Sequence, residues 1–109
     1  MNITIDTKEM EKYTKINLGG EIDAYTAPQL KEAVFPYAEK ENASLVINLS
    51  DVSYMDSTGL GVFVGLFKSL NAHNGSLQLV GLSERLKRLF DITGLADIIN
   101  ISSDVEGGV

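Results

Sequence analysis

The chain contains no cysteine, a single histidine and no apolar segment long enough to cross a membrane. Without cysteine it has neither a disulfide framework nor a thiolate metal site, which suits a reducing, cytoplasmic environment. The richest apolar window, residues 60–70, falls short of the roughly 18 residues of a membrane span and includes Lys68. Residues 1–6 have neither a basic flank nor an apolar run, so we expect no signal peptide.

Positive charge is also scarce in this chain. Nine lysines and arginines stand against fifteen acidic residues, which gives a net charge of −6. An acidic surface is repelled by phosphate backbones, so the composition argues against nucleic acid as a partner and favours a basic protein surface. Hydrophobic residues make up 44% of the 109 positions, enough for one domain over residues 1–109 with a single core.

Hydrophobic periodicity predicts strands that alternate with helices. The first two strands show alternating apolar residues and are expected to pair as a hairpin, with Gly19 and Gly20 ending the second. The third is apolar at almost every position, which is typical of a central strand covered on both faces. The strands are predicted at residues 3–5, 13–18, 45–49, 77–80 and 98–101.

Three helices are predicted, after residues 26, 57 and 83. Thr26 is expected to cap the first helix, which Pro36 should kink or tighten near its end. Ser83 is expected to cap the third and Gly94 to close it, while residues 104–109 should form a loose tail. The sum is an α/β fold, a single domain with a mixed, mainly parallel sheet of four or five strands.

The second predicted helix is apolar on nearly every side, and a helix of this kind should be buried. Two interpretations stay open. The helix lies deep in the core, or part of it near Val62 and Leu66 forms an exposed patch for a partner. The pair Gly61 and Gly65 is interpreted as close packing of this helix on the sheet.

Two predicted loops, residues 19–26 and 51–57, leave strands at the carboxyl edge of the sheet. Functional loops gather at this edge in parallel sheets, so Asp23 and Ser57 are expected to be neighbours. The carboxylates in these loops could hold magnesium or calcium, but no ligand motif with defined spacing is present. We therefore predict no metal site.

Ser57 occupies a strand–loop–helix junction, at or near the start of the second helix. Asp56, Ser57 and Thr58 all qualify as N-cap, so a purely capping role for Ser57 stays open beside a functional one. A serine nucleophile needs a base within hydrogen-bond reach. His73, the only histidine, lies at the far end of the same predicted helix, more than about 20 Å away at 1.5 Å per residue. We therefore predict that the protein is not an enzyme.

Four short motifs carry a family resemblance. They are Gly-Glu-Ile-Asp at 20–23 with Ala-Pro at 27–28, Asp-Ser-Thr-Gly-Leu-Gly at 56–61, Leu-Ser-Glu-Arg-Leu at 82–86 and Phe-Asp-Ile-Thr-Gly-Leu at 90–95. With these motifs the chain resembles, over essentially its whole length, the STAS domains of the anti-sigma-factor antagonist family.

The resemblance implies a switch between partners in a general stress response governed by sigma-B. The unphosphorylated protein would bind an anti-sigma factor that is also an ATP-dependent serine kinase, and so release the sigma factor. Phosphorylation of Ser57 by that kinase would end the binding, and a PP2C-type phosphatase would reverse it. The chain itself would hold no cofactor.

The resemblance also implies the residues of the partner surface. Glu21 and Asp23 would face the kinase, and Asp56 would lie beside the phosphate. Two other roles stay open: a STAS module that senses a nucleotide or anion, and a scaffold subunit of a stress-signalling assembly. The implied partner-binding residues are Glu21, Asp23, Asp56, Thr58, Gly59 and Gly61.

Overall fold

The computed structural model describes residues 2–102 and folds them into five strands and three α-helices. The predicted loose tail, residues 104–109, lies outside the described residues. A short 3₁₀ helix, Leu95–Asp97, precedes the last strand. The elements are β1 (Ile3–Glu9), β2 (Thr14–Ile22), α1 (Ala27–Ala38), β3 (Ser44–Met55), α2 (Ser57–Ala72), β4 (Ser76–Val80), α3 (Glu84–Ile92) and β5 (Asn100–Ser102).

The sheet follows the order of the sequence, β1-β2-β3-β4-β5. Strand β1 is antiparallel to β2, and every later pair is parallel, joined by one of the helices. The hairpin between β1 and β2 is closed by a 2.8 Å hydrogen bond from the Met10 amide to the Tyr13 carbonyl oxygen. The predicted α/β domain with a mixed, mainly parallel sheet is therefore confirmed.

Strands β2 and β3 both run further than predicted. β2 continues through Gly19 and Gly20 to Ile22, and β3 continues to Met55. The two extensions pair with each other, so backbone groups expected in loops bond across the sheet. The predicted loop at residues 51–57 is therefore wrong, since most of it is strand.

The conformation of Gly20 explains why the glycine pair was mistaken for the end of β2. It has a φ of +90°, and a Cβ on it would overlap the carbonyl oxygen of Asn2. Glycine is needed here because another strand passes close by and the register with β3 shifts on both sides. The glycine pair bends β2 and does not end it.

A single hydrophobic core lies between one face of the sheet and the three helices. Ile16, Ile47 and Leu79 stand opposite one another across β2, β3 and β4, and all three are fully buried. Phe63 of α2 meets Phe90 of α3 edge to face, with ring centroids 6.2 Å apart. Aromatic pairs favour this geometry, which fixes α3 against α2.

The other face of the sheet lies outside this core and carries polar side chains together with the buried Val46 and Val80. On β3, Leu45 and Ile47 point into the core, whereas Val46 is buried outside that cluster. Asn48, also on the second face, donates a 3.1 Å hydrogen bond to the Asn17 side chain. The predicted central position of β3 is confirmed by the strand order, and the apolar residues on both of its faces are buried, although only the face toward the helices belongs to the core.

Helix α2 lies deep in the core. Val62 and Leu66 are both fully buried, so the core interpretation of this helix is confirmed and the predicted exposed patch is wrong. A Cβ on Gly65 would lie 3.0 Å from the Phe35 ring of α1, and one on Gly61 would meet nothing within 4 Å. The interpretation of these two glycines as helix–sheet packing is also wrong.

The structure tests the residues that were predicted to begin or end α1 and α3. The Ser83 hydroxyl oxygen accepts a 3.2 Å hydrogen bond from the Leu86 amide, which confirms the predicted cap of α3. Gly94, with a φ of +79°, follows this helix as predicted. Pro36, which was expected to kink α1 or tighten its last turn, lies inside the helix, and the helix continues for two more residues.

Gly59 is the glycine that brings α2 onto the sheet. A Cβ at this position would lie 2.8 Å from both Cγ2 and the carbonyl oxygen of Ile22. We expect Gly59→Ala to lower the free energy of unfolding by about 1–3 kcal/mol, because the backbone must move to admit the methyl group. Chemical denaturation measures this change.

Gly61→Ala is the matched control for this substitution. It lies two residues further along the same helix with open space around it, so alanine should raise the stability by up to about 1 kcal/mol through its better helix propensity. Equal effects of the two substitutions would contradict the proposed packing.

Candidate functional site

The candidate site forms where β2 and β3 end side by side. Ile22 pairs with Met55, and the Asp56 amide donates a 3.2 Å hydrogen bond to the Ile22 carbonyl oxygen. Because the strands are parallel, the loop at residues 23–26 and the start of α2 leave the same edge of the sheet. Asp23 therefore lies in the loop beside Asp56.

Asp56 caps α2, and Ser57 does not. The Asp56 Oδ1 atom accepts a 3.0 Å hydrogen bond from the Gly59 amide, and its backbone is extended. Ser57 is the first helical residue, is exposed, and makes no side-chain hydrogen bond to any of residues 2–102. The purely capping role for Ser57 is therefore wrong, and its hydroxyl faces solvent.

The neighbours of Ser57 differ in what they present to solvent. Thr58 and Gly61 are exposed, whereas Gly59 is buried and directed at Ile22. The small size of Gly59 thus serves the packing of the chain itself, and only Gly61 leaves open space outside the helix. A partner contact at any of these positions stays a prediction.

Asp23 organises the loop between β2 and α1. Its side chain is buried, and its Oδ1 atom accepts hydrogen bonds from the amides of Tyr25 at 2.9 Å and Thr26 at 3.0 Å. The Thr26 hydroxyl donates a 2.8 Å hydrogen bond to the Glu21 carbonyl oxygen and does not cap α1. The predicted cap is therefore wrong, because the hydroxyl ties this loop to the end of β2.

A shallow groove of about 300 Å³ separates the two segments. Three carboxylates and two tyrosine rings give it an acidic and aromatic lining. Carboxylates bind lysine and arginine side chains, and tyrosine rings attract the same cations through their faces. The groove therefore suits a basic side chain of another protein. Its lining residues are Glu21, Asp23, Ala24, Tyr25, Tyr54 and Asp56.

Sequence reasoning missed both tyrosines. Tyr25 is 83% exposed and Tyr54 is 45% exposed, which is unusual for rings of this size. An aromatic residue between the polar Asp23 and Thr26 was the available signal for Tyr25. The position of Tyr54 could be predicted only if β3 was known to extend to Met55, because only then does Tyr54 pair with Glu21 of β2.

The structure shows neither a histidine base nor a metal-binding group beside this groove within residues 2–102. His73 forms the C-cap of α2, with Nδ1 2.7 Å from the Ser69 carbonyl oxygen. It lies about 24 Å from Ser57, the length of the 16-residue helix. Residues 2–102 contain no group of three side chains placed to ligate a metal. In the same residues no helix is long and apolar enough to span a membrane.

The roles of Asp23 as a charge and as a loop scaffold can be separated. Asp23→Asn keeps the accepting oxygen for both amides, so we expect nearly unchanged stability. Asp23→Ala leaves the two amides without their acceptor and should cost about 1–3 kcal/mol. Denaturant unfolding of both variants measures the difference. Equal losses in the two variants would show that the charge and not the hydrogen bonds stabilises the loop.

Comparison with known proteins identifies the family. Residues 4–108 match the STAS domain family. The chain is 61% identical over 109 residues to an anti-sigma-B factor antagonist of Bacillus subtilis, covering 100% of this chain and 99% of that relative. It is 59% identical over 108 residues to one of Listeria monocytogenes, covering 98% and 94%.

A solved structure agrees with this assignment. The crystal structure of an anti-sigma factor antagonist from Mycobacterium paratuberculosis superposes with a TM-score of 0.86 at 26% identity, covering 96% of this chain and 89% of that one. The chain therefore belongs to the STAS-domain family of anti-sigma-factor antagonists.

Proposed function

We propose that this protein antagonises the anti-sigma-B factor by partner switching. In its unphosphorylated form it binds an anti-sigma factor that is also a serine kinase, and this binding releases sigma-B for the general stress response. The kinase phosphorylates Ser57, and the complex separates. The observation that carries the proposal is the Ser57 hydroxyl, exposed at the start of α2 and left free by the Asp56 cap.

Ser57 is favoured over its hydroxyl-bearing neighbours. The Ser53 hydroxyl donates a 3.2 Å hydrogen bond to the Gly20 carbonyl oxygen, so it is engaged within the sheet. Thr58 is exposed and bulkier, one position further into the helix. The position of Ser57 in the Asp-Ser-Thr-Gly-Leu-Gly motif adds the support of the family resemblance.

Phosphorylation acts through charge at the contact surface. A phosphate adds about −1.5 to −2 charges at neutral pH, beside the carboxylate of Asp56 and the groove that Glu21 and Asp23 line. Burying such charge without a partner at an interface costs about 2–5 kcal/mol. At about 1.4 kcal/mol per tenfold, binding weakens roughly 30-fold to several thousandfold.

The dipole of α2 does not cancel this loss. A negative charge at a helix N-terminus gains about 0.3–1 kcal/mol, and the free phosphoprotein gains it as well as the complex. The phosphorylated chain therefore remains folded and waits for a PP2C-type phosphatase. In this proposal the kinase supplies ATP and magnesium, and this chain holds no cofactor. The phosphorylation cycle takes place in the cytoplasm and involves neither nucleic acid nor a membrane.

A nucleotide-sensing or anion-sensing role is the competing proposal. The three carboxylates that line the groove repel phosphate groups, which favours a basic protein surface as the ligand. Calorimetry of the isolated chain with ATP separates the two roles, because only a sensor binds the nucleotide by itself. Gel filtration addresses the scaffold role, which requires a larger assembly.

Incubation with the purified anti-sigma kinase and ATP tests the phosphorylation site. Phosphopeptide mapping should find one phosphate, on Ser57. Ser57→Ala should accept none and still bind the kinase, whereas Ser57→Asp should bind at least about tenfold more weakly because it places a charge at the contact. Ser53→Ala and Thr58→Ala are the controls and should still be phosphorylated on Ser57. Undiminished labelling of Ser57→Ala would falsify the assignment.

Backbone amide spectra test whether the switch needs refolding. We expect phosphorylated and unphosphorylated protein to give nearly the same spectrum, with changes confined to the start of α2 and the groove, because repulsion at the contact suffices. Shifts spread through the core, for example at Phe63 and Phe90, would show that the phosphate acts by rearranging the fold.

A further inference from the structure

Helix α3 carries a second groove beside the acidic one. This groove has a volume of about 280 Å³ and lies between α3 and the end of β3. Tyr54 lines both grooves, so its ring forms the ridge between them. Ser57 lines neither groove. The second groove is lined mainly by Tyr54, Met55, Arg85, Arg88, Leu89 and Ile92.

The charge of this groove is opposite to that of the protein. The chain has a net charge of −6 and only nine cationic side chains, three of which lie on the nine residues of α3. Lys87 forms a 3.9 Å ion pair with Glu84. Arg85 and Arg88 are exposed and have no ion-pair partner within residues 2–102. Two guanidinium groups are thus available to an anionic ligand.

The same groove exposes apolar surface. Ile92 is 76% exposed, and the Tyr54 ring beside it is 45% exposed. Arginine and tyrosine are enriched among the residues that dominate binding energy at protein interfaces, and the exposed Ile92 beside them adds apolar area that a partner can bury. The composition fits a protein segment better than a small anion, which would not use Ile92.

We propose that the α3 groove is a second docking surface for the anti-sigma kinase and takes an acidic segment of that kinase with an apolar side chain. The proposal rests on the proposed function. Two arginines without an ion-pair partner among residues 2–102 give the charge complementarity, and the shared Tyr54 makes the α3 groove continuous with the acidic groove that Asp56 lines. The kinase thus meets an acidic half and a basic half of one surface.

The two halves differ in what phosphorylation does to them. The acidic half gains further negative charge when Ser57 is modified, and burying that charge against the partner opposes binding there. Ser57 lines neither groove, so the phosphate does not enter the contact that Arg85 and Arg88 make. The α3 groove therefore contributes binding that is the same before and after phosphoryl transfer. Contacts of this kind lower KM of the kinase for this protein and leave kcat unchanged.

Single charge reversals test this surface. We expect Arg85→Glu and Arg88→Glu each to weaken binding to the purified kinase at least about tenfold, as expected for a hot-spot arginine. In the phosphorylation assay KM should rise by a similar factor, with kcat within about twofold of the original value. Lys87→Glu is the matched control, because it makes the same change of charge on the same helix but lines a different cavity. It should change binding less than about threefold, the limit for a charge outside the contact.

Truncation of exposed isoleucines tests the apolar contact. Ile92→Ala should weaken kinase binding, and Ile98→Ala, at a residue 50% exposed outside both grooves, should not. Ile92 is 76% exposed, so Ile92→Ala should unfold at nearly the temperature of the original protein. The half-buried Ile98→Ala should unfold at a lower temperature and still bind normally, so thermal unfolding separates loss of stability from loss of the contact.

The possible outcomes are distinguishable. If the original protein binds the kinase and is phosphorylated on Ser57 while Arg85→Glu and Arg88→Glu behave like Lys87→Glu, the α3 surface is refuted and the proposed function stands. If the original protein does not bind the kinase, both proposals fail. A dimer of this chain that Arg85→Glu abolishes, with kinase binding unaffected, would assign the groove to a second copy and overturn the inference.

Discussion

The hydrogen bond between the Asp56 carboxylate and the Gly59 amide is the interaction on which the site depends. It makes Asp56 the cap and therefore makes Ser57 the first helical residue, with its hydroxyl directed to solvent. The bond can form only because Gly59 has no side chain, since Ile22 lies directly beneath it. The Asp56 amide is in turn bound to the Ile22 carbonyl oxygen. The exposure of Ser57 thus follows from how α2 is seated on the end of β2.

Asp23 and Asp56 have a structural role and an electrostatic one at the same time. Each uses a carboxylate oxygen to accept backbone amides of its own segment, so neither side chain is free to rotate away. Charges held in place require no ordering when a basic partner binds. The same rigidity means that they cannot move away from a phosphate on Ser57. In the proposed switch, one arrangement of oxygens therefore favours the complex before phosphorylation and opposes it afterwards.

The order and type of the elements could be predicted because periodicity is a local property of the sequence. The ends of β2 and β3 could not, because Gly19 and Gly20 look like a stop signal until the parallel partner is known. The pairing of Gly19 with Asp51 and of Gly20 with Val52 of β3 keeps the end of β2 extended. Long-range pairing overrode a local turn signal, and the predicted loop after β3 shrank to Asp56 alone.

The meeting of the Asp23 loop with the start of α2 could be predicted, but the contacts of the individual side chains there could not. Asp56, Ser57 and Thr58 are all competent caps, and only the seating of Gly59 on Ile22 chooses among them. The apolar surface of α2 fitted a core helix and a binding patch equally well, since the sequence does not reveal which neighbours cover it. Tyr25 and Tyr54 were missed for a related reason: their exposure depends on where the strands end.

The low positive charge of the whole chain conceals a separation of charge on its surface. Carboxylates line the groove next to Ser57, and Arg85 and Arg88, which form no ion pair within the described residues, line the groove on the other side of Tyr54. If one partner contacts both halves, phosphorylation can act on only one of them. Release then requires that the loss at the acidic half, about 2–5 kcal/mol, exceed what the basic half contributes. The basic half must therefore be strong enough to select the partner and weak enough to let it leave, which limits it to a few side chains, as α3 has.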